Sequence, residues 1–505
     1  MNIKKILPFK FSLSQVCLLI ILAIGAFLRF YKIRQYLTFL GDEGRDVLVV
    51  KRMLLDGKFT LLGPITSVGS IYMGPIYYYL TAPFLFLWHF DPVGPAVMVA
   101  CLALVTIYII YRIGTDYFHP QVGLVAAFLD SISRLTVIYG HSSWNPNVVP
   151  FFAVLLMFSL LKIIVDRRYY FFITAGLCLG TLIQLHYITF MFFPIILTVF
   201  LINRPKISLK YYLFGLLSFL LSYSPFILFE VRHQFVNSLG AVRFIIQQNK
   251  SQPALYFLSW WDTLKDVSIR VFWRPLVVEN AEITKFLIII GIVIFFFSAG
   301  VISQNRKFKT AFNILLIWLF VGILSFGLYR GAVYDYYFGS LFPLPHLLFG
   351  IMFYLLFQKG KLGKISACVI LVFLTAFNII HSSLLIEPNN MLKNTKTIAD
   401  FVLEKSSDDS YNFALIADKN SDHAYRYFLE LSGRPPVTIE NPQIDPKRSS
   451  VTNQLMVVCE EKVCQPLGHP LWEIAGFGQA EITGVWDVVT VKVFRLVPYL
   501  GGNYD

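Results

Sequence analysis

From Phe11 onward the sequence keeps returning to apolar runs of about twenty residues, the length at which an α-helix crosses the hydrocarbon of a bilayer. The first run ends near Phe30. Others lie near residues 75–90, 93–112, 121–139, 148–165, 169–202, 210–229, 286–303, 310–328, 338–357 and 364–383, and 169–202 is long enough for two. No soluble core of 505 residues could hide this much apolar surface, since 56% of the chain is hydrophobic and 14% charged, against about 25% charged in an ordinary soluble protein. Lipid accepts apolar side chains on every face of a helix. The expected class is therefore an all-α polytopic membrane protein.

Charge sets the expected orientation. Short basic connectors fall at Arg167-Arg168, Arg204/Lys206/Lys210, Arg306/Lys307/Lys309 and Lys359/Lys361/Lys364, and such clusters stay cytoplasmic. They also account for the net charge of +13: scattered between spans, they form no basic stripe, so no nucleic-acid partner is expected. Lys4, Lys5 and Lys10 precede the first run, and Arg29-Phe30-Tyr31 follows it with no small-residue cleavage site, as in an uncleaved signal anchor with a cytoplasmic N-terminus. Working back from Lys359–Lys364, the last span exits outward. Residues 31–74 and 230–285 are then external loops, and 389–505 is an extracytoplasmic domain attached to a membrane domain at 1–388. Counting every run as a span gives an even number, which this orientation forbids. The run 121–139, with Asp130 and Arg134, is expected not to cross fully, because charges in lipid cost several kcal/mol, leaving about eleven crossings.

The tail reads as a small α/β domain, with helices at 396–404 and 424–431, the second stopping at Gly433, and strands at 413–417, 454–458 and 488–496. Cys459 and Cys464 bracket a polar stretch there, a spacing that suits either a disulfide or two free thiols; an oxidising compartment favours the bridge. Within the first external loop, 46–55 alternates charged and apolar residues as would a helix lying on the membrane surface.

Several polar groups stand at the external ends of spans. Gly41-Asp42-Glu43-Gly44-Arg45-Asp46 puts two adjacent carboxylates at a membrane face, where one can act as a general base. The same spacing suits a helix start, with Asp42 as cap and Glu43 and Asp46 in the first turn, and spacing alone favours that plainer reading. Tyr72-Met73-Gly74-Pro75 opens the next span with aromatics that could stack on a sugar or form an interfacial belt. Asn145, in an external turn, offers a donor and an acceptor to a substrate or caps the helix that follows. His186 interrupts the long run 169–202, and polar groups at that depth tend to line cavities, although a lone histidine is more often structural. Arg232-His233 and Arg330, the latter before Tyr334-Asp335-Tyr336-Tyr337, could hold a phosphate or snorkel to lipid headgroups. Metal-ligand spacings and nucleotide-binding glycine patterns are absent from the sequence, although Asp42 with Glu43 could hold a divalent cation.

The order of basic N-terminus, one span, a long external loop opening on Asp42-Glu43, and Gly-Pro-Ile-Tyr-Tyr-Tyr at the next span resembles the GT-C superfamily of membrane glycosyltransferases, near the protein O-mannosyltransferases and lipid A aminoarabinose transferases. The resemblance runs over most of 10–383 and is specific only around Asp42. It implies a GT-C-like fold and an inverting enzyme that moves a sugar from a polyprenyl-phosphate carrier to a hydroxyl on a lipid, glycan or protein acceptor at the outer membrane face. It turns Asp42 into the expected base, with Glu43 the second acid and Arg330 beside the carrier phosphate. Where such proteins often carry His-Pro-Pro, this chain has Met73-Gly74-Pro75, and any contact made by that histidine is lost. Tyr72, Tyr336, Asn145, His186, Arg232 and His233 are the other expected substrate contacts. The rival class is a transporter or flippase, which would place carboxylates along a path at the membrane midplane and commonly shows two related halves; no such halves are visible. A receptor would need only a single-span anchor.

Overall fold

The computed structural model describes residues 12–66, 71–250, 253–278, 280–329 and 333–499. The chain separates into two compact units: Met1–Tyr31, Phe59–Leu80 and Ala96–Glu387 in the first, and Lys32–Lys58, Thr81–Pro95 and Pro388–Asp505 in the second.

The apolar runs become helices. In chain order they are α1 (Leu13–Phe30), α2 (Ile33–Tyr36), α3 (Gly41–Asp56), α4 (Ile76–Leu87), α5 (Val93–Tyr117), α6 (Pro120–Ile132), α7 (Arg134–Gly140), α8 (Val149–Ile164), α9 (Phe171–Leu185) and α10 (Phe192–Asn203). They continue as α11 (Leu209–Arg232), α12 (Val236–Lys250), α13 (Pro253–Val277), α14 (Ala281–Phe297), α15 (Ala299–Gln304), α16 (Arg306–Phe326), α17 (Pro343–Phe357) and α18 (Gly360–Ile380). By length and composition, six helices among the described residues can cross a membrane, or up to nine if each of three bent pairs is one span. Three shorter apolar helices accompany them.

The run 121–139 breaks at Ser133, where α6 and α7 meet at 62°. The break is held from three sides. Arg29, fully buried at the end of α1, donates to the carbonyls of Ser131 (2.9 Å) and Asp130 (3.2 Å) and to Thr136 (3.0 Å). The Ser133 hydroxyl donates to the Pro275 carbonyl at 2.8 Å, and the Arg134 N–H donates to Asn378 on α18 at 3.3 Å. Asn378 in turn donates to the Leu276 carbonyl at 2.9 Å. Pro275 and Leu276 lie in the last turn of α13, whose carbonyls have no partner within the helix, so side chains from other helices satisfy them.

The external loop expected at 230–285 is instead mostly helical, formed by α12 and α13. Its hydropathy is too low to read as a span, yet Trp260–Val277 with Ala281–Phe297 forms one of the bent apolar pairs, at 100°. Elsewhere small residues let helices approach: a methyl on Gly176 of α9 would overlap the Gly215 carbonyl of α11, the close backbone approach common between membrane helices.

The second unit holds α2, α3 and the tail, with α19 (Met391–Lys405), β1 (Asn412–Ile416), α20 (His423–Leu431), β2 (Leu455–Cys459), α21 (Trp472–Ala475), β3 (Ala480–Val488) and β4 (Val491–Pro498). The sheet order is β1-β2-β4-β3, parallel between β1 and β2 and antiparallel elsewhere. Asn412–Ile416, at the edge of the sheet, and Leu455–Cys459, inside it, are both buried throughout, so both faces of this end of the sheet are covered. Helix α20 ends two residues before Gly433, which takes a φ of +78° that glycine adopts without strain. Cys459 and Cys464 are disulfide-bonded, their Cα atoms 6.4 Å apart. Helix α3 begins five residues before the expected 46–55. Its buried apolar residues Val47, Leu48, Val50 and Met53 belong to a helix packed on α20, so the apolar side of the pattern is taken up by a protein contact.

Candidate functional site

The acidic turn opens α3. Leu40 is the N-cap residue and brings no side-chain oxygen, so Glu43 closes the turn by accepting the Leu40 N–H at 3.0 Å. Asp42 is therefore not the cap that its spacing allowed; it sits inside the first turn. Its carboxylate is half exposed and accepts from Arg45 at 2.7 Å. Arg45 also binds the buried Asp46 at 2.8 Å. Glu43 lies 95% out of solvent, and burial pushes its carboxyl up to about 8, against the pull of the Leu40 N–H; the charges of Asp42 and Asp46 push the same way. Two adjacent acids are thus driven apart in character: one largely protonated at neutral pH, one a carboxylate in an ion pair that solvent can reach. That asymmetry suits a single base. It suits a cation clamp poorly, because Glu43 turns back to Leu40 while Asp42 turns to Arg45. Among the described residues no group of three His, Cys, Asp or Glu side chains could hold a metal ion.

The first unit gathers four of the expected substrate contacts. Asn145 is buried and donates to the Leu185 carbonyl at 2.8 Å, which ties the turn before α8 to the break before His186. His186 accepts the Ile188 N–H at 3.2 Å, and its ring lies 4.6 Å from that of Tyr337 and 5.8 Å from that of Tyr336. Tyr336 reaches across to Trp144, ring centroids 4.5 Å apart. The Tyr72 main chain is locked by Asn237, which accepts its N–H at 2.6 Å and donates to its carbonyl at 2.8 Å, and by the Tyr187 hydroxyl, which donates to the same carbonyl. The result is a wall of rings and amides from five segments distant in sequence.

Two arginines that sequence reasoning passed over stand on α13. Arg270 and Arg274, one turn apart, both bind Asp335 at the start of the 3₁₀ turn Asp335–Leu341; Arg270 reaches it at 2.5 Å. Arg270 also binds the exposed Asp266 at 2.8 Å, donates to the Val333 carbonyl at 3.0 Å and lies over the Phe338 ring at 4.9 Å. The signal was present as Asp266, Arg270 and Arg274 at spacings of four, readable only once this stretch is taken as a helix. The turn that carries Asp335 also carries Tyr336 and Tyr337, so the cation pair and the aromatic wall share one support. Arg232 and His233 take no part in this cluster. Arg232 is exposed at the end of α11, and His233 stacks on Phe229 of its own helix at 4.1 Å. Arg330 lies outside the described residues.

The chain is similar in fold to solved membrane proteins, and part of it matches one family model. The family model for dolichyl-phosphate-mannose-protein mannosyltransferase matches residues 73–229. Among solved structures, ArnT from Cupriavidus metallidurans in the apo state superposes with a TM-score of 0.61 at 12% identity, over 96% of this chain and 98% of that one. The same protein bound to undecaprenyl phosphate gives 0.60 at 12% identity, over 94% and 97%. The Archaeoglobus fulgidus oligosaccharyltransferase in complex with Zn and sulfate gives 0.52 at 14% identity, over 87% of this chain and 67% of that one. No curated protein matches the sequence.

Proposed function

We propose that this protein is an inverting glycosyltransferase that takes a sugar from a polyprenyl-phosphate carrier and transfers it to an acceptor hydroxyl at the outer membrane face. The carrying observation is the pair of guanidiniums, Arg270 and Arg274, bound to Asp335 beside the ring wall of His186, Tyr336 and Tyr337, in a chain with the fold of a protein that binds undecaprenyl phosphate. A phosphate monoanion or dianion can replace Asp335 as the partner of either arginine, and a guanidinium matches its oxygens two at a time. As the sugar–phosphate bond breaks, charge grows on the leaving phosphate, where fixed cations lower the barrier. The rings flank the sugar, with Asn145 and His186 beside them as further contacts. Asp42 is the base we assign to the acceptor hydroxyl, which displaces the phosphate at the anomeric carbon with inversion. The activated carrier bond supplies the driving force.

The test is incubation of the purified protein in lipid nanodiscs with a panel of labelled prenyl-phosphate sugars. With water or an added alcohol taking the sugar, release of prenyl phosphate from one donor is expected, and Arg270→Gln and Arg274→Gln should raise KM for that donor about tenfold or more, the size of a charged hydrogen bond. Failure of the protein to bind any prenyl phosphate would remove this function and leave only the fold.

A further inference from the structure

The tail domain has so far no task, yet its hydrogen bonds converge on the acidic turn. Glu460 is the first residue past β2, inside the loop that the Cys459–Cys464 disulfide closes. Its N–H donates to the Ile416 carbonyl at the end of β1 (2.9 Å), so its main chain is an extension of the sheet. Its carboxylate accepts from Asn420 on both oxygens, at 2.9 and 3.1 Å, and from the Tyr425 hydroxyl at 2.7 Å. With its amide NH2 spent on Glu460, Asn420 presents its oxygen to the Gly41 N–H at 2.8 Å, across 379 residues of sequence. Gly41 immediately precedes Asp42.

The first turn of a helix has N–H groups with no partner in the helix, and a local side chain normally takes one. Leu40 cannot, and the N–H of Gly41, the first residue of the helix, takes its partner from the tail. A second point of fixation lies one residue past Glu43, where Gly44 rests on the Ala424 backbone so closely that any side chain would overlap it. Two contacts thus set the direction of the turn that carries Asp42.

We propose that Asn420 and Glu460 are positioning residues for Asp42: the disulfide-closed loop of the tail holds the base-bearing turn at a fixed angle. This rests on the assignment of Asp42 as base, and the experiment separates the two. Sugar transfer is measured in a double-mutant cycle, with thermal midpoints recorded for each protein. Asn420→Asp keeps an acceptor for Gly41 but faces Glu460 with a second carboxylate. It should lower kcat about tenfold or more, with KM for the lipid donor within about twofold, the mark of lost alignment rather than lost binding. Glu460→Gln combined with Asn420→Asp reverses the polarity of the pair, since the new amide donates to the new carboxylate, and should restore kcat to within about threefold of the parent. Asn420→Ala, which adds no charge, should show the same split between kcat and KM and serves if Asn420→Asp does not fold. Wild-type kcat in Asn420→Asp or Asn420→Ala, beside an inactive Asp42→Asn, overturns the positioning role alone. So does a double variant as slow as the single one at an equal midpoint. An active Asp42→Asn overturns the base itself, and the positioning role with it.

Discussion

Asp42 and Glu43 are neighbours in sequence with opposite surroundings, and the difference dictates two predictions. Asp42→Asn keeps the shape of the first turn of α3 and removes the proton acceptor. Transfer should fall by about 10²–10⁴-fold, the usual worth of a general base, with binding of the lipid donor unchanged in a direct titration. Glu43 carries a carboxyl raised from an ordinary 4.5 to about 8 by burial. A raised carboxyl holds, in the folded protein, a proton that the unfolded chain has already released. Its contribution to stability is therefore complete below about pH 4.5 and is lost as pH climbs through about 8. The thermal midpoint of the wild-type protein should fall across that window, and Glu43→Gln should flatten the fall; a slope unchanged by the substitution would refute the burial argument. The sequence displayed the acidic pair plainly but not this division of labour. Which of the two closes the turn depends on Leu40 being the cap, and a leucine cap carries no signature. Arg270 and Arg274 were hidden for a related reason, since their meaning depends on Asp335, sixty-five residues from Arg270.

Among elements, the apolar helices were legible because twenty residues of uniform hydropathy leave a helix little alternative in lipid. The stretches of mixed character were not. α12 and α13 carry Trp, Lys, Asp and Arg at helical spacing and read as a loop, although their order comes from neighbours. The last turn of α13 shows how. Ser133 and Asn378 reach the Pro275 and Leu276 carbonyls, while His346, fully buried on α17, lies 3.4 Å from the Pro275 oxygen and 3.1 Å from Asp130. Asn378→Leu would leave the Leu276 carbonyl and the Arg134 N–H without their partner, a cost of about 1–3 kcal/mol. A lower unfolding midpoint is expected, together with a higher KM for the lipid donor, because Arg274 lies two residues before Leu276 on the same helix end. An unchanged KM would separate this network from the arginine pair. In the tail, β1, β2, β4 and α20 stood out as buried or amphipathic runs. β3 did not, because its side chains are mostly exposed and its central glycine weakens the alternation.

For the whole molecule, the charge pattern of the connectors predicts one orientation, and this can be read directly. In a background without Cys17, Cys101, Cys178 and Cys368, a cysteine placed at the exposed Asp487 on β3 should react with a membrane-impermeant maleimide in intact cells. One placed at the exposed Lys361 should react only after permeabilisation. The opposite pattern would put the tail and the acidic turn on the cytoplasmic side, away from any outer-face acceptor.

The burial of Arg29 has a consequence for how such a chain is made. Its acceptors at Asp130 and Ser131 lie 101 and 102 residues further along. The guanidinium of α1 is therefore made well before the carbonyls of Asp130 and Ser131 that receive it. Until the sixth helix emerges, the guanidinium has to remain at the water boundary, reached by its flexible stem. Arg29 thus ties the seating of α1 to that of α6.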